Sequence, residues 1–576
     1  MAETLLSPGV LARENDQSFI QGQPVEVGAA IIGPTAKGPV EIPTIVSSFS
    51  EFTAVFGEGI ESGSNVYSTF TSITANNYFQ NGGNSLLVTR VTTGTFTPAS
   101  SLDIGSISAS AQTPFVLETI SEGDIMNSDG PHSSGGALAS GSKDNIRWEI
   151  PTVNTSSGTF SLLVRRGDDT TNQKVVLESY NNLSLDPLAS NYISKVIGDM
   201  DQTVVSDGGD YFIQESGSYA NASKYIRVKS VDFKTPNYFD NDGIAKTEFS
   251  DLLPIAGTSG SFNAATGSNY DDNRAANFYN AINNTDSQGL TGSDYTDAIA
   301  LMSNSDEYKF NVIAVPGLIN ENAATGATQI TSIVNNSISR GDSIAAIDLV
   351  NYNSSITTVI GQASGFDNSY SATYWPWLQT VDPNTGELVW VPASTMIPGV
   401  YAFTDASSDP WFAPAGITRG GLGQVVRAER KLTAGNRDDL YEANINPIAT
   451  FPQAGVVVFG QKTLQKKATA LDRVNVRRLL IALKGYISQV SDNLVFEQNT
   501  ISTRNTFLSQ VNPYLESVQQ RQGLYAFKVV MDDTNNTADV VDRNELVGQI
   551  FLQPTRTAEY IILDFNVLPT GATFPA

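Results

Sequence analysis

Few residues in this 576-residue chain have the types and spacing to do chemistry, and each candidate fails on its pattern. There is one histidine, His132 in DGPHSSGG, and no cysteine. A Ser-His-Asp triad or a two-histidine zinc centre would have to be built around that single imidazole, and thiolate sites are excluded. A solvated loop histidine is the simpler reading. Gly420, Gly421 and Gly423 in RGGLGQVV lack a following Lys-Ser/Thr, and the third glycine of a dinucleotide loop would have to be Val426. They read as a tight turn. Asp382, Asn384 and Glu387, like Asp240 and Asp242, have no twelve-residue calcium-loop pattern. The pairs Asp168–Asp169 and Asp532–Asp533 read as solvated loop carboxylates rather than a glycosidase pair. No enzyme, cofactor or metal site is expected.

Positive charge is the remaining feature. The chain carries a net −25, which disfavours a nucleic-acid partner. Between Ile417 and Lys484, however, 12 Lys and Arg stand against 5 Asp and Glu, so this stretch is +7 and the remainder −32. At 100° per residue, Lys466, Arg473, Arg477 and Lys484 fall within roughly 40° of one another on a helix, a basic stripe. Such a stripe suits an acidic partner surface; a solvated face or ion pairs within the subunit is the competing account.

The element that must position the stripe is legible from periodicity. Val476, Leu479, Leu480, Leu483, Tyr486, Ile487 and Val490 recur at helical three-and-four spacing and predict one buried face beside the basic one. Phe507, Leu508, Val511, Leu515 and Val518 predict a second helix, ended by Gly523 in the left-handed position. The period then becomes two at Tyr525, Phe527, Val529 and Met531, a strand running into DDTNNT.

The rest of the chain predicts an α+β or α/β multidomain protein. Residues 1–23 read as an arm whose Leu5, Leu6, Val10, Leu11, Phe19 and Ile20 need a partner, satisfied if the arm lies along a sheet edge. Residues 24–92 begin an α/β core with VEVGAAIIG, PVEIPTIVS, a helix over Tyr67–Phe79 and NSLLVTRV. Residues 93–300 are rich in Ser, Gly, Asp and Thr around short strands such as Ile146–Ile150, Thr159–Arg165 and Tyr225–Val231, and predict one or two inserted β-rich modules. In them a strand ending at Glu178 leads to a helix containing Tyr192. The core resumes over 301–459 with a buried strand at Asn311–Val315; 460–558 form a C-terminal domain; 559–576 form a second apolar arm with Tyr560, Ile561, Ile562, Leu563, Phe565 and Val567. No run of eighteen apolar residues exists, and MAETLLSPGV lacks a basic region followed by an apolar core, so neither a membrane span nor a standard export signal is expected.

Several stretches occur in a telling order: SPGV at Ser7, ESYNNLSLDP and NYISKVI over Glu178–Ile197, FNVIAVPGL at Phe310, RGDSIAAID at Arg340, SYSATYWPWLQ at Ser369, VPAS and PGVYAFTD over Val391–Asp405, and PWFAPAG at Pro410. NINPIATFP, GVVVFGQKT, DRVNVRRLL, FEQNT and TRNTFL complete the set. Together they resemble the contractile tail sheath proteins of bacteriophages, a family shared with phage-tail-like bacteriocins. The resemblance implies an α/β sheath core near the inner radius, outward-facing inserted domains, and terminal arms that add strands to neighbouring subunits. It implies a helical homo-oligomer of stacked hexameric rings around a tail tube protein, with baseplate and tail terminator partners, no nucleic acid and no membrane insertion. It places the basic stripe against the tube. The implied function is mechanical: a metastable extended sleeve contracts to drive the tube through the host envelope, from a virion tail assembled in the host bacterial cytoplasm. A carbohydrate-binding or hydrolytic tail protein, or a non-contractile tube or surface-layer protein, is the alternative.

Overall fold

The computed structural model describes residues 27–62, 65–101, 104–108, 112–127, 142–267 and 282–559. Residues 1–23 and 560–576, which hold the apolar residues of both arms, and His132 lie outside the described residues.

The chain enters as β1 (Val27–Gly33), β2 (Thr44–Val46), α1 (Phe49–Phe56), α2 (Phe70–Gln80) and β3 (Leu86–Arg90). Ser48 and Thr69 each cap their helix by accepting a backbone N–H bond, the usual work of a hydroxyl at that position. The chain then leaves this sheet for β4 (Pro98–Ser101), β5 (Phe115–Glu122), β6 (Ile146–Ile150), β7 (Thr159–Arg166), β8 (Val176–Ser184), the hairpin β9 (Asp201–Asp207) and β10 (Asp210–Ser216), β11 (Ile226–Val231) and β12 (Thr258–Asn263). It returns through α3 (Thr296–Leu301), β13 (Phe310–Ile319), α4 (Thr328–Arg340), β14 (Ile344–Asp348), α5 (Ile356–Ala363), β15 (Ser371–Trp375), α6 (Ile397–Ser407), β16 (Asn446–Phe451) and β17 (Gly455–Val458).

These strands make one sheet in the order β2-β3-β1-β13-β14-β15-β16-β17. The six inner strands are parallel and the two edge strands antiparallel to their neighbours. Side chains alternate between two apolar layers. Ala29, Ile31, Val312, Ala314, Ile344 and Ala346 face α1, α2 and α6, whereas Ala30, Ile32, Ile313, Val315, Ala345 and Ile347 face α3, α4 and α5. Burial on both faces explains why these strands read as continuous apolar runs.

The second sheet is antiparallel, in the order β8-β7-β6-β12-β4-β5-β11. Its core includes Trp148, Phe115, Phe160 and Phe262. Two sequence expectations change here. The strand expected to stop at Glu178 runs on to Ser184, and the helix after it is one short turn, Ile193–Ile197, with Tyr192 at its cap. Asp169 is not a solvated loop carboxylate: its side chain is buried, 2.8 Å from Arg147 and 2.7 Å from Arg165, whose guanidinium also meets Glu149. Two buried arginines need that carboxylate to offset their desolvation.

Polar contacts seat the second sheet on the first. Lys37, buried, donates to the Asp144 carbonyl at 3.1 Å, and Arg90 donates to the Glu122 carbonyl at 2.9 Å. Apolar residues of the β9–β10 hairpin, Val204, Tyr211 and Ile213, pack on the core layer that holds α3.

The C-terminal region is α7 (Val474–Asp492), α8 (Ile501–Gln520), β18 (Leu524–Val530) and β19 (Gln549–Pro554). The predicted faces meet: Leu479, Leu483 and Val490 pack with Phe507, Val511, Leu515 and Val518, sealed by Trp411 and Met531. Each such side chain contributes roughly 1.5–3 kcal/mol when fully buried. The left-handed position after α8 belongs to Gln522 (φ 66), not Gly523. Gly523 answers a different need, since a Cβ there would lie 2.6 Å from Val518 Cγ1 and 3.2 Å from the Trp411 ring.

Candidate functional site

The basic stripe does not form as one helical face. Helix α7 starts only at Val474; Arg473 is its cap residue with extended backbone (φ −115), and Lys466 lies in the preceding loop. Helical phase therefore does not connect Lys466 and Arg473 to Arg477 and Lys484. The loop is fixed by Asp367 Oδ1, which accepts from the Lys466 backbone N–H at 2.9 Å, while Lys466 Nζ donates to the Ser364 carbonyl at 2.8 Å.

The four cations also differ in what they touch. Arg477 is only 4% exposed; it donates to Ser369 Oγ and lies 3.9 Å over the Tyr370 ring, and burial pulls its guanidinium below its ordinary range. Lys484 is exposed, with Nζ 3.3 Å from the Tyr370 hydroxyl. Lys466 is exposed too. Arg473 is spoken for within the chain: its Nε and Nη2 donate to the two carboxylate oxygens of Glu559 at 2.7 and 3.0 Å, and Nη1 pairs with Asp472 at 3.0 Å.

Around Glu559 the structure brings together residues that periodicity could not group. Tyr441 donates its hydroxyl to Glu559 at 2.8 Å, and Gln461 Nε2 donates to Glu559 at 3.1 Å and to Thr557 Oγ1 at 2.6 Å. Lys462 Nζ donates to the Tyr441 carbonyl. The last described residues are thus clamped onto the end of the first sheet. Arg478 was also missed by the stripe argument. It is buried, 2.5 Å from Asp405, and stacks 4.6 Å from Tyr401, whose hydroxyl shares a 2.7 Å bond with Tyr374.

The two-stranded sheet β18–β19 is the other feature of this region. One face packs on α8 through Phe527, Val529, Ile550 and Leu552. Neither strand has a second neighbour among the described residues, and Tyr525 and Phe551 are 68% and 56% exposed. A two-stranded sheet is marginal on its own, and unpaired edges are templates for a further strand.

The sites set aside from sequence take ordinary structural roles. Gly420 and Leu422 hydrogen-bond onto β17 and cover its edge. Asp382 closes a turn, accepting from the Asn384 backbone N–H at 2.9 Å and from Ser68 Oγ at 2.6 Å. Among the described residues, no group of three or more acidic or histidine side chains is placed to hold a metal, and no helix is long and apolar enough to cross a membrane.

Comparison with known proteins follows this geography. The phage tail sheath protein central domain matches residues 288–464, and the phage tail sheath C-terminal domain matches residues 466–568. The tail sheath protein of Vibrio phage KVP40 is 42% identical over 185 residues, covering 32% of this chain and 28% of its own. That of Salmonella phage ViI is 26% identical over 399 residues, covering 65% of this chain and 62% of its own. The alignments therefore span less than two thirds of either relative. The crystal structure of the sheath tail protein from Listeria innocua shares the fold, with a TM-score of 0.50 at 10% identity over 92% of this chain and 96% of that one. Adjoining in sequence order, residues 288–464 and 466–568 thus carry the central and C-terminal domains of the phage tail sheath family.

Proposed function

We propose that this chain is the structural subunit of a contractile tail sheath, a non-enzymatic protein that polymerises helically around a tail tube and shortens to drive the tube through a host envelope. The observation that carries the reading is the β18–β19 sheet. It is anchored on α8 and open at its edges, and the Glu559 clamp fixes the base of the C-terminal segment. In this reading the segments 1–23 and 559–576 of neighbouring copies supply its missing strands, with the inserted second sheet facing outward. Each backbone hydrogen bond is worth only about 0.5–1.5 kcal/mol net, but several per arm in every subunit give a mesh that can rearrange without coming apart. Contraction then needs only a difference in contacts between two packings of nearly rigid bodies.

Of the four expected tube-facing cations, Lys466 and Lys484 have the exposure to meet acidic groups of a tube. Arg473 and Arg477 support that surface from within, through Glu559 and Tyr370. Stacked rings, baseplate and terminator contacts and assembly in a bacterial cytoplasm follow from the same reading. Two truncations test it. Chains lacking 560–576 or 1–23 should fold, by circular dichroism, and fail to polymerise; truncated chains that build cylinders as the full chain does would remove strand exchange as the linkage.

A further inference from the structure

The turn between α7 and α8 carries a side chain that the subunit does not use. Phe496 is 103% exposed and has φ 69, the only aromatic or β-branched residue with positive φ among the described residues. A bulky residue in the left-handed region is strained, and a phenyl ring wholly in water forgoes its burial. The turn around it is nevertheless held firmly. Asn499 Nδ2 donates to the Glu545 carbonyl at 2.8 Å, Arg504 Nε donates to Asn499 Oδ1 at 2.8 Å, Thr503 Oγ1 donates to the Gln498 carbonyl at 2.7 Å, and Leu494 packs into the helical core. Val495 and Ile501 beside it are 59% and 65% exposed. The molecule therefore presents a rigid apolar knob.

Charge identifies the partner. The knob is flanked by Asp492 and Glu497, both exposed and in no salt bridge among the described residues, in a segment, 485–558, with eight Asp and Glu against five Lys and Arg. The complementary chemistry, apolar and basic, is present elsewhere on the same chain. Ile417 is 67% and Val426 54% exposed, on a short helix (Gly416–Arg419) and a strand (Val425–Ala428) that both pack against β17. Arg427, Arg430 and Lys431 beside them are exposed and likewise in no salt bridge among the described residues. We infer that the α7–α8 turn docks onto a second copy of this chain, Phe496 seating against Ile417 and Val426 while Asp492 and Glu497 meet Arg427, Arg430 and Lys431. Knob and receptor are different surfaces, so the contact is head-to-tail and propagates without closing, as a helical polymer requires. This deepens the sheath reading and rests on its claim of self-assembly.

The test uses the full chain and three variants, with polymer measured by sedimentation and negative-stain microscopy. Phe496→Gly should leave the unassembled chain folded, with Tm unchanged or raised because the positive φ is relieved, yet raise the concentration needed for assembly at least tenfold. Asp492→Lys with Glu497→Lys should do the same, and adding Arg427→Glu, Arg430→Glu and Lys431→Glu to that variant should restore assembly. Wild-type assembly by Phe496→Gly, or no restoration by the charge swap in a folded chain, would overturn the inference while leaving the sheath reading intact. Cylinders that form normally but no longer take up tubes would assign the knob to the tube and overturn the copy contact. A wild-type chain that never polymerises would remove both readings.

Discussion

Glu559→Gln should loosen the base of the C-terminal segment. The substitution keeps the size of the side chain and removes the charge that holds Arg473 at 2.7 and 3.0 Å. The two side chains retain 24% and 18% exposure, between the solvent-exposed pairs worth about 0.2–1 kcal/mol and buried pairs whose breaking costs about 3–5 kcal/mol. The paired geometry and partial burial place this pair between those limits, nearer the exposed one, so we expect a loss of about 1–2 kcal/mol. A chain of several cores does not unfold as one unit, which makes a local readout the right one. Trypsin cleavage after the exposed Arg556, followed by mass spectrometry, supplies it, because cutting there requires the clamp on Thr557 and Glu559 to open. Where opening is fast relative to cleavage the rate tracks the open population, and the expected loss corresponds to roughly 5- to 30-fold faster cutting. Arg473→Gln should give a similar increase, and the double variant little more than either single one. Cutting within twofold of wild type, or fully additive effects, would refute the clamp.

Other perturbations have equally definite outcomes. Asp348, at the end of β14, accepts from both the Ser394 backbone N–H and hydroxyl, but burial pushes its carboxyl up to about 7. A carboxyl raised by folding gives stability that is fully present below about pH 4 and lost as pH rises through about 7. Asp348→Asn should therefore remove that decline and stabilise the first sheet at pH 8 by roughly 2–4 kcal/mol, read locally as slower hydrogen exchange in β14; exchange as in the wild type would contradict it. Asp169→Asn leaves two buried arginines short of their counter-charge and should destabilise the second sheet by about 3–5 kcal/mol, read as hydrogen exchange at β6 and β7; protection as in the wild type would count against the network. Lys466→Glu with Lys484→Glu should leave the fold unchanged and weaken loading onto tubes, most at low salt; salt-independent, normal loading would remove these lysines from the tube contact.

What the sequence made legible follows the range of the physics involved. The packed face of α7, from Leu479 to Val490, and that of α8 could be read because apolar spacing is local and one-sided. Asn311–Val315 was legible as a buried strand for the same reason, and it lies in β13. Reading failed where a local rule was extended past an element's end. Arg473 breaks the helix phase because it caps α7 with extended backbone, so Lys466 has no helical relation to Arg477. Gly523 looked like a helix stop but is small because Trp411 and Val518 lie against it, a contact across more than a hundred residues in the case of Trp411. Asp169 looked solvated because nothing local announces that β6 will bring Arg147 beside it. The Glu559 clamp joins residues 86 to 118 positions apart and left no periodic trace. The order β8-β7-β6-β12-β4-β5-β11 was likewise invisible, since β12 inserts between strands far earlier in the chain.

The central claim is that copies of this chain complete one another as a polymer. Negative-stain electron microscopy of the purified full-length chain, over a range of protein concentrations with light scattering in parallel, addresses it most directly. The account predicts hollow helical cylinders of uniform diameter above a threshold concentration; a monodisperse monomer at every concentration, with no cylinders even when tubes are supplied, would contradict it.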